Sequence, residues 1–179
     1  MSQLQKAIFA GGCFWCLEPA FAATGRVEKL TVGYTGGHTE NPTYEQVCSG
    51  TTGHYEAIEV QYDPDKISYQ ELVEIFWRQI DPTDAGGQFA DRGGSYKTAI
   101  FYQDEAQKIT AERTKEELEK QHIYPAPIVT QILPAAEFYP AETYHQAYYM
   151  KEPEHYQFYK QGSGRQEYIE KMWGSQAKH

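Results

Sequence analysis

Two cysteines, Cys13 and Cys16, lie three residues apart where a short strand should turn into a helix. They belong to the segment Gly11–Cys16, whose two leading glycines permit a sharp turn and a close approach of the backbone to a ligand. A helix that begins at Cys13 directs unpaired N–H groups and partial positive charge at its thiol. Because the thiolate is the nucleophilic form, the arrangement predicts a reactive Cys13.

Three kinds of site use a Cys-x-x-Cys pair. A dithiol redox site is favoured, because both thiols lie on one side of the first helical turn and can form a disulfide. A zinc site would need a second pair of ligands, and only Cys48 and scattered histidines remain. In a structural interpretation both thiols are small buried side chains. Phe14 and Trp15, between the cysteines, belong either to the core or to an apolar slot beside a reactive sulfur.

A carboxyl group, Glu56, lies on the apolar face of a predicted strand. Alternation in Tyr55–Tyr62 places Glu56 with Ile58 and Val60, and places Glu59 on the other face. Burial would raise the pKa of Glu56 and let it hold a proton near neutrality, as a general acid must. Alternatively, Glu56 reaches solvent or pairs with a basic group, and the alternation itself does not decide between the two.

Composition bounds the possible functions. The 179 residues suit one domain (residues 1–179) with a sizeable core. A net charge of -9 without a basic stripe argues against nucleic acid as a partner. The apolar run before Gly11 is too short for a signal or membrane segment, so we expect a soluble, cytoplasmic protein. Three cysteines are too few for a disulfide framework. We also expect the protein to be a monomer and to need no cofactor or metal.

The predicted elements alternate in a way that favours an α+β fold with a split β-α-β core. Two glycine-containing loops, Thr35–Gly53 and Asp81–Ser95, are long enough to suggest a functional role. The predicted strands are Lys6–Ala10, Val27–Tyr34, Tyr55–Tyr62, Thr98–Tyr102 and Ile128–Leu133. The predicted helices are Cys13–Ala22, a turn at Tyr44–Cys48, one capped by Ser68, one from Asp104 to about Gln121, one from Pro140 towards Lys151, and Arg165–Trp173.

Seven motifs in order, spread between about residue 7 and residue 173, resemble peptide methionine sulfoxide reductase, type A. Together they are highly specific, although each alone is weak. They are Gly-Gly-Cys-Phe-Trp, Gly33-Tyr34-x-Gly36-Gly37, Asn41-Pro42-Thr43-Tyr44, Gly53-His54-x-Glu56-Ala57, Asp81-Pro82-Thr83, Asp91-x-Gly93-x-x-Tyr96, and Tyr139-Pro140-Ala141-Glu142-x-Tyr144-His145-Gln146.

The resemblance implies a ferredoxin-like α+β fold, a mixed sheet flanked by helices with long loops. It also implies reduction of the S epimer of methionine sulfoxide, free or in proteins, with thioredoxin as reductant. Cys13 then corresponds to the nucleophile and Glu56 to the acid that protonates the departing oxygen. Tyr44 and Tyr96 correspond to the tyrosines that hydrogen-bond that oxygen. Phe14 and Trp15 match the pocket for the sulfur's methyl group, and Asp91 matches a residue beside the substrate backbone. His145 lies in a family motif, and we assign it no role in the chemistry.

The chain departs from the commoner family pattern in its cysteines. Many members have glycine where this chain has Cys16, and many carry resolving cysteines in a C-terminal tail, whereas no cysteine follows Cys48 here. We therefore expect a Cys13–Cys16 disulfide and interpret Cys48 as a small buried residue. The main alternative is a general thiol–disulfide oxidoreductase, which would need neither Glu56 nor the tyrosines.

Two substitutions test the role of the cysteines. Cys16→Ser should abolish thioredoxin-coupled turnover, because no thiol then condenses with an oxidised Cys13, yet it should keep a single turnover of methionine release. Cys48→Ser is the matched control and should keep coupled turnover. Normal coupled turnover by Cys16→Ser would show that another group resolves the intermediate.

Overall fold

The computed structural model describes residues 3–174, and eight strands and seven helices with two short 3₁₀ turns occur among them. The strands are β1 (Gln5–Gly11), β2 (Val27–Thr35), β3 (Tyr55–Tyr62), β4 (Gly87–Gln88), β5 (Asp91–Arg92), β6 (Thr98–Tyr102), β7 (Gln131–Pro134) and β8 (Phe138–Pro140). The helices are α1 (Phe14–Ala22), α2 (Tyr44–Cys48), α3 (Tyr69–Gln79), α4 (Glu105–Lys120), α5 (Tyr148–Lys151), α6 (Pro153–Ser163) and α7 (Arg165–Trp173).

A six-stranded mixed sheet, in the order β7-β6-β1-β3-β2-β8, organises the fold. Only β6 and β7 pair in parallel, and the other neighbours are antiparallel. The unit β1-α1-β2 has β3 between its strands, and the unit β3-α3-β6 has β1 between its strands. These two interlocked split β-α-β units form the expected α+β core. The motif Gly11–Cys16 therefore starts at the end of a central strand.

Alternation along the strands separates two apolar clusters, one on each face of the sheet. The larger cluster contains Phe9 of β1 and the inward faces of α1, α3 and α4. Phe9 stacks on Phe21 and Phe76, with ring centroids 5.4 and 5.1 Å apart. The smaller cluster, built mainly from Ile8, Ala57 and Phe101, lies on the opposite face. Glu56 projects into the helix-covered face with Ile58 and Val60.

Local hydrogen bonds start the two long helices. The side chain of Ser68 accepts from the Glu71 N–H at 3.1 Å, and Asp104 accepts from the Gln107 N–H at 2.9 Å. Both are N-caps, which satisfy backbone donors that the first helical turn leaves free. The helices then pack together, and the indole N–H of Trp77 donates to Thr114 Oγ1 at 3.0 Å in a buried contact.

Two expectations about the C-terminal third were wrong. The last long strand begins at Gln131 rather than Ile128, because the Val129 N–H bonds to the Pro82 carbonyl and Thr130 bonds to the Thr98 side chain. Pro140 starts no helix. It ends β8, which pairs with Gly33 at the sheet edge, where a residue without an N–H is tolerated.

The helix Pro153–Ser163 was not predicted from the sequence. It begins with a proline at its first position and ends at Gly164, which has a positive φ of 89°. Both residues are typical of helix ends in these positions. None of the helices among residues 3–174 combines the length and the apolar character that a membrane crossing requires.

Phe76→Ala should lower the free energy of unfolding by about 3–5 kcal/mol, because it leaves a cavity among Phe9 and Trp77. Phe76 is fully buried, whereas Ile109 on α4 is 57% exposed. Ile109→Ala is therefore the control and should change stability by less than about 0.5 kcal/mol. Urea unfolding measures both values, and equal losses would contradict this description of the core.

Candidate active site

The cysteine motif forms a tight turn between β1 and α1. Gly12 has a φ of +86°, and a Cβ atom there would lie 2.6 Å from Gln88 Cβ and 2.8 Å from Arg165 Nη2. Glycine is therefore required both by conformation and by space. Cys13 is the N-cap of α1, and its carbonyl accepts from the Cys16 N–H at 3.1 Å. Cys13 and Cys16 thus belong to the same helical turn, as expected.

Glu56 is 1% exposed and lies under the start of α1. Its Oε1 accepts the Phe14 N–H at 3.2 Å, and the Tyr96 hydroxyl also donates to the carboxyl group. Burial raises the pKa of Glu56 to about 8, against the opposing effect of these hydrogen bonds. No basic side chain of residues 3–174 forms an ion pair with it. Of the two interpretations of Glu56, the structure therefore supports the buried, protonated carboxyl group.

The charge preference of the thiol pair differs from our expectation. Burial raises the pKa of Cys13 well above its ordinary value, and the neighbouring Cys16, Glu56 and Asp91 act in the same direction. A hydrogen bond from Cys13 lowers the pKa of Cys16 to about 7, with help from Arg165 and Lys160. Without substrate, the negative charge is therefore more stable on Cys16. The helix N-terminus alone does not offset the burial of Cys13.

Tyr44 and Tyr96 converge on the same region from two different loops. Tyr44 is the first residue of α2, and Tyr96 ends a 3₁₀ turn after β5. Burial raises the pKa of both hydroxyls, so both remain protonated donors. A capping box between Thr43 and Gln46 fixes the start of α2, with hydrogen bonds of 3.2 and 2.9 Å.

Cys48 is exposed, so its interpretation as a small buried residue was wrong. The helix α2 has five residues and buries Val47 alone, which leaves the next position facing outwards. The Tyr44 and Tyr96 hydroxyls both lie within hydrogen-bonding reach of the Cys48 thiol. It therefore lies beside the two tyrosines, at the edge of the candidate site.

Aromatic side chains line the other side of the cysteine turn. Phe14 is buried and Trp15 half-buried. The Trp15 indole donates to His145 Nδ1 at 3.1 Å and stacks on Tyr148, with centroids 3.9 Å apart. The N–H edge and one face of the indole are thereby oriented by contacts from the segment that follows β8. Such a half-buried aromatic surface next to a sulfur atom is suited to a small apolar group.

Asp91 lies near both cysteines and Glu56, on the short strand β5. Its carboxylate accepts a hydrogen bond from the Tyr159 hydroxyl of α6, and burial raises its pKa. The ring of Tyr159 meets Trp15 edge to face, with centroids 5.6 Å apart. Asp91 is therefore connected to the aromatic surface as well as to the thiols.

Several positioning residues were missed in the sequence, although Glu142 and Gln146 belong to quoted motifs. Glu142 accepts from the Tyr34 hydroxyl and from the Tyr44 N–H, both at 2.9 Å, and so fixes the start of α2. The Gln146 amide bonds to both backbone groups of Val32, at 2.9 and 2.8 Å. These contacts hold the His145 segment against the sheet. Only the spacing within the motif signalled them.

Glu18 of α1 holds the next residue of this segment. Its Oε1 accepts the Ala147 N–H at 2.9 Å, and Ala147 has a left-handed φ of 52°. Burial raises the pKa of Glu18 to about 7. Residues 3–174 contain no group of three or more histidine, cysteine or acidic side chains arranged to hold a metal ion.

Fold and site together define a thiol-based oxidoreductase with a buried carboxyl group next to its cysteine pair. The sequence model described as peptide methionine sulfoxide reductase matches residues 5–177. Peptide methionine sulfoxide reductase MsrA of Bacillus velezensis is 58% identical over 167 residues, which are 93% of this chain and 94% of that protein. The chain belongs to the peptide methionine sulfoxide reductase family.

Solved structures give the same result for the fold. Reduced Mxr1 of Saccharomyces cerevisiae has a TM-score of 0.80 and 32% identity, covering 85% of this chain and 87% of that one. Methionine sulfoxide reductase A of Corynebacterium diphtheriae has a TM-score of 0.75 and 34% identity, covering 84% and 76%. Mxr1 in complex with Trx2 superposes with a TM-score of 0.58 at 24% identity, covering 82% and 85%, which bears on the fold alone.

Glu18→Gln should make stability less dependent on pH. The pKa of Glu18 rises from 4.5 to about 7 on folding, so its contribution is full below pH 4.5 and is lost as pH rises towards 7. Glutamine keeps an acceptor for the Ala147 N–H and does not ionise. On going from acidic to mildly basic pH, the free energy of unfolding of the variant should therefore rise by about 1–3 kcal/mol relative to that of the parent.

Urea unfolding at both ends of this pH range measures the effect. Glu112→Gln is the matched control, because Glu112 lies exposed on α4. An identical pH dependence in Glu18→Gln and the parent would show that the Glu18 carboxyl group is not desolvated.

Proposed function

We propose that this protein reduces the S epimer of methionine sulfoxide to methionine, free and in oxidised proteins, and acts in the cytoplasm. The observation that carries the proposal is the protonated, buried carboxyl group of Glu56 beside Cys13. A sulfoxide oxygen is a poor leaving group until it is protonated, and a general thiol–disulfide oxidoreductase has no step that requires such an acid. A chain of three cysteines without a structural disulfide suits a reducing compartment.

In the first step, the sulfur of Cys13 attacks the sulfoxide sulfur. A bond forms between the two sulfur atoms, and the sulfur–oxygen bond breaks as the oxygen takes protons from Glu56 and from the Cys13 thiol and leaves as water. Water then attacks the sulfur of Cys13, methionine leaves with the electron pair of the sulfur–sulfur bond, and Glu56 regains its proton. Cys13 becomes a sulfenic acid, so that the thiol is oxidised as the sulfoxide is reduced. The raised pKa of Glu56 suits this role, because the acid stays protonated at neutral pH.

The substrate is oriented by the groups around the cysteine turn. Tyr44 and Tyr96 donate hydrogen bonds to the sulfoxide oxygen as negative charge develops on it. Phe14 and Trp15 receive the methyl group on the sulfur, and the contacts of Trp15 with His145 and Tyr148 orient the indole. Asp91 accepts a hydrogen bond from the substrate backbone. Because these donors and surfaces occupy fixed sides, the site favours one sulfoxide configuration.

In the second step, Cys16 condenses with the sulfenic acid of Cys13. The Cys13–Cys16 bond forms and water leaves, and the pairing requires only a local change in the first turn of α1. A dithiol protein, thioredoxin, then reduces the disulfide. The yeast relative Mxr1, whose structure includes a complex with Trx2, supports a reductant of this class. We assign Cys48 no step.

Single-turnover release of methionine from the resolved epimers tests the proposal. The S epimer should yield methionine and the R epimer should not. Glu56→Gln should slow the reaction with the S epimer by about 10²–10⁴-fold, since the amide donates no proton. In the parent protein the rate should fall as pH rises through about 8, where Glu56 ionises.

Glu59→Gln is the matched control, because Glu59 lies on the other face of the same strand and pairs with Lys6 at 3.8 Å. It should keep both the rate and the pH profile. Methionine release from the R epimer alone, or an unaffected rate in Glu56→Gln, would overturn the proposed function.

A further inference from the structure

Arg165 is a buried cation that the sulfoxide chemistry does not use. It begins α7 and is 1% exposed. Its guanidinium donates to the Gly11 carbonyl at 2.9 Å and to the Gln79 carbonyl at 2.7 Å, and lies 4.8 Å from the centre of the Phe89 ring. No carboxylate among residues 3–174 forms an ion pair with it within 4.0 Å. A buried charge without a close counter-ion is costly, and the nearby carboxyl group of Asp91, whose pKa Arg165 lowers, offsets part of that cost.

A second anion that Arg165 can stabilise is the thiolate of Cys16. Arg165 and Lys160 both favour charge on Cys16, whereas Asp91 opposes it. Charge on Cys13 is opposed by Cys16, Glu56 and Asp91. The cations belong to α6 and α7, whereas the carboxyl groups belong to the strands β3 and β5. The electrostatic field therefore distinguishes the two sulfur atoms.

The two sulfur atoms also differ in their surroundings. Cys16 is 1% exposed and lies beside Tyr156 of α6. Cys13 is 6% exposed and lies near Glu56 and next to Trp15, where the proposed function places the substrate. An attacking sulfur must approach along the line of the disulfide bond, from the side opposite to the leaving sulfur. The greater exposure of Cys13 favours attack on its sulfur.

Resting on the proposed function, we propose that Arg165 makes Cys16 the leaving thiolate when the Cys13–Cys16 disulfide is reduced, so that the reductant attacks Cys13. The reductant thiolate bonds to the sulfur of Cys13, the disulfide bond breaks, and its electron pair passes to the sulfur of Cys16. The second thiol of the reductant then attacks the reductant's own sulfur and releases Cys13, which takes up a proton. Arg165 is a positioning residue, since it touches the turn rather than the substrate.

The location of the mixed disulfide tests the direction of attack. The oxidised protein is mixed with thioredoxin that lacks its second cysteine, so that the complex is trapped, and peptide mass spectrometry identifies the bonded residue. The proposal requires the bond to be on Cys13. A mixed disulfide on Cys16 would overturn it, whatever the outcome for sulfoxide reduction.

The role of Arg165 is tested with Arg165→Met and Arg165→Lys. Two rates are measured in each variant, methionine release in a single turnover and reduction of the preformed disulfide by thioredoxin. The ratio of the second rate to the first corrects for any disturbance of the turn. The ratio should fall about 3- to 10-fold in Arg165→Met, because a thiolate of higher pKa leaves more slowly. Arg165→Lys keeps the charge and should keep the ratio within about twofold.

A spectroscopic titration adds a measurement that a purely structural role would not change. In a Cys13→Ser background, the thiolate absorbance of Cys16 should titrate at higher pH in Arg165→Met than with Arg165 present. An unchanged ratio and titration in Arg165→Met would overturn the proposal. If Arg165→Met fails to fold, Arg165→Lys and the trapped complex still decide the question. Failure of the parent protein to release methionine would instead contradict the proposed function.

Discussion

The desolvated carboxyl group of Glu56 is the constraint on which the rest of the site depends. Its burial is possible because β3 is a central strand, covered on this side by α1 and α3. The Phe14 N–H and the Tyr96 hydroxyl bond to it without neutralising the effect of burial. An ionised Glu56 would add a second negative charge beside Cys13, whose pKa is already raised. Glu56 and Cys13 are therefore electrostatically coupled through one apolar environment.

Features that depend on local periodicity could be predicted from the sequence. The alternation in β3 placed Glu56 on the buried face, and the spacing of Cys13 and Cys16 placed both thiols on one helical turn. Features that depend on distant partners could not. The hydrogen bond from Cys13 is the main reason for the lowered pKa of Cys16, and Arg165, about 150 positions away, adds to it. An isolated arginine in a sequence is normally a solvent-exposed residue, whereas Arg165 is buried. Cys48 faced outwards because α2 is too short to bury two sides.

The segment that follows β8 also shows that some features depend on local sequence and others on distant partners. Proline at position 140 is compatible with the start of a helix or with the edge of a sheet, and only pairing with Gly33 determines which forms. A Cβ atom at Gly33 would lie 2.4 Å from the Tyr139 carbonyl oxygen, so the pairing depends on a glycine more than a hundred residues earlier. Once β8 is paired, the segment that follows it is held to the sheet by the hydrogen bond of Gln146 with Val32. Glu142 then accepts from the Tyr44 N–H, and His145 accepts from the Trp15 indole. Contacts between residues far apart in the sequence, and not local propensity, therefore assemble the aromatic surface.

The interlocked strand order has a consequence for how the chain acquires its activity. The strand that leads into the cysteine motif ends at Gly11 and lies between β3, which begins at Tyr55, and β6, which begins at Thr98. Sheets with such distant pairings form late, after the cost of closing long loops has been met. A partly folded chain thus contains the cysteines but neither the buried acid nor the cation beside Cys16. Cys13 and Cys16 therefore acquire their different pKa values only once these distant pairings have formed.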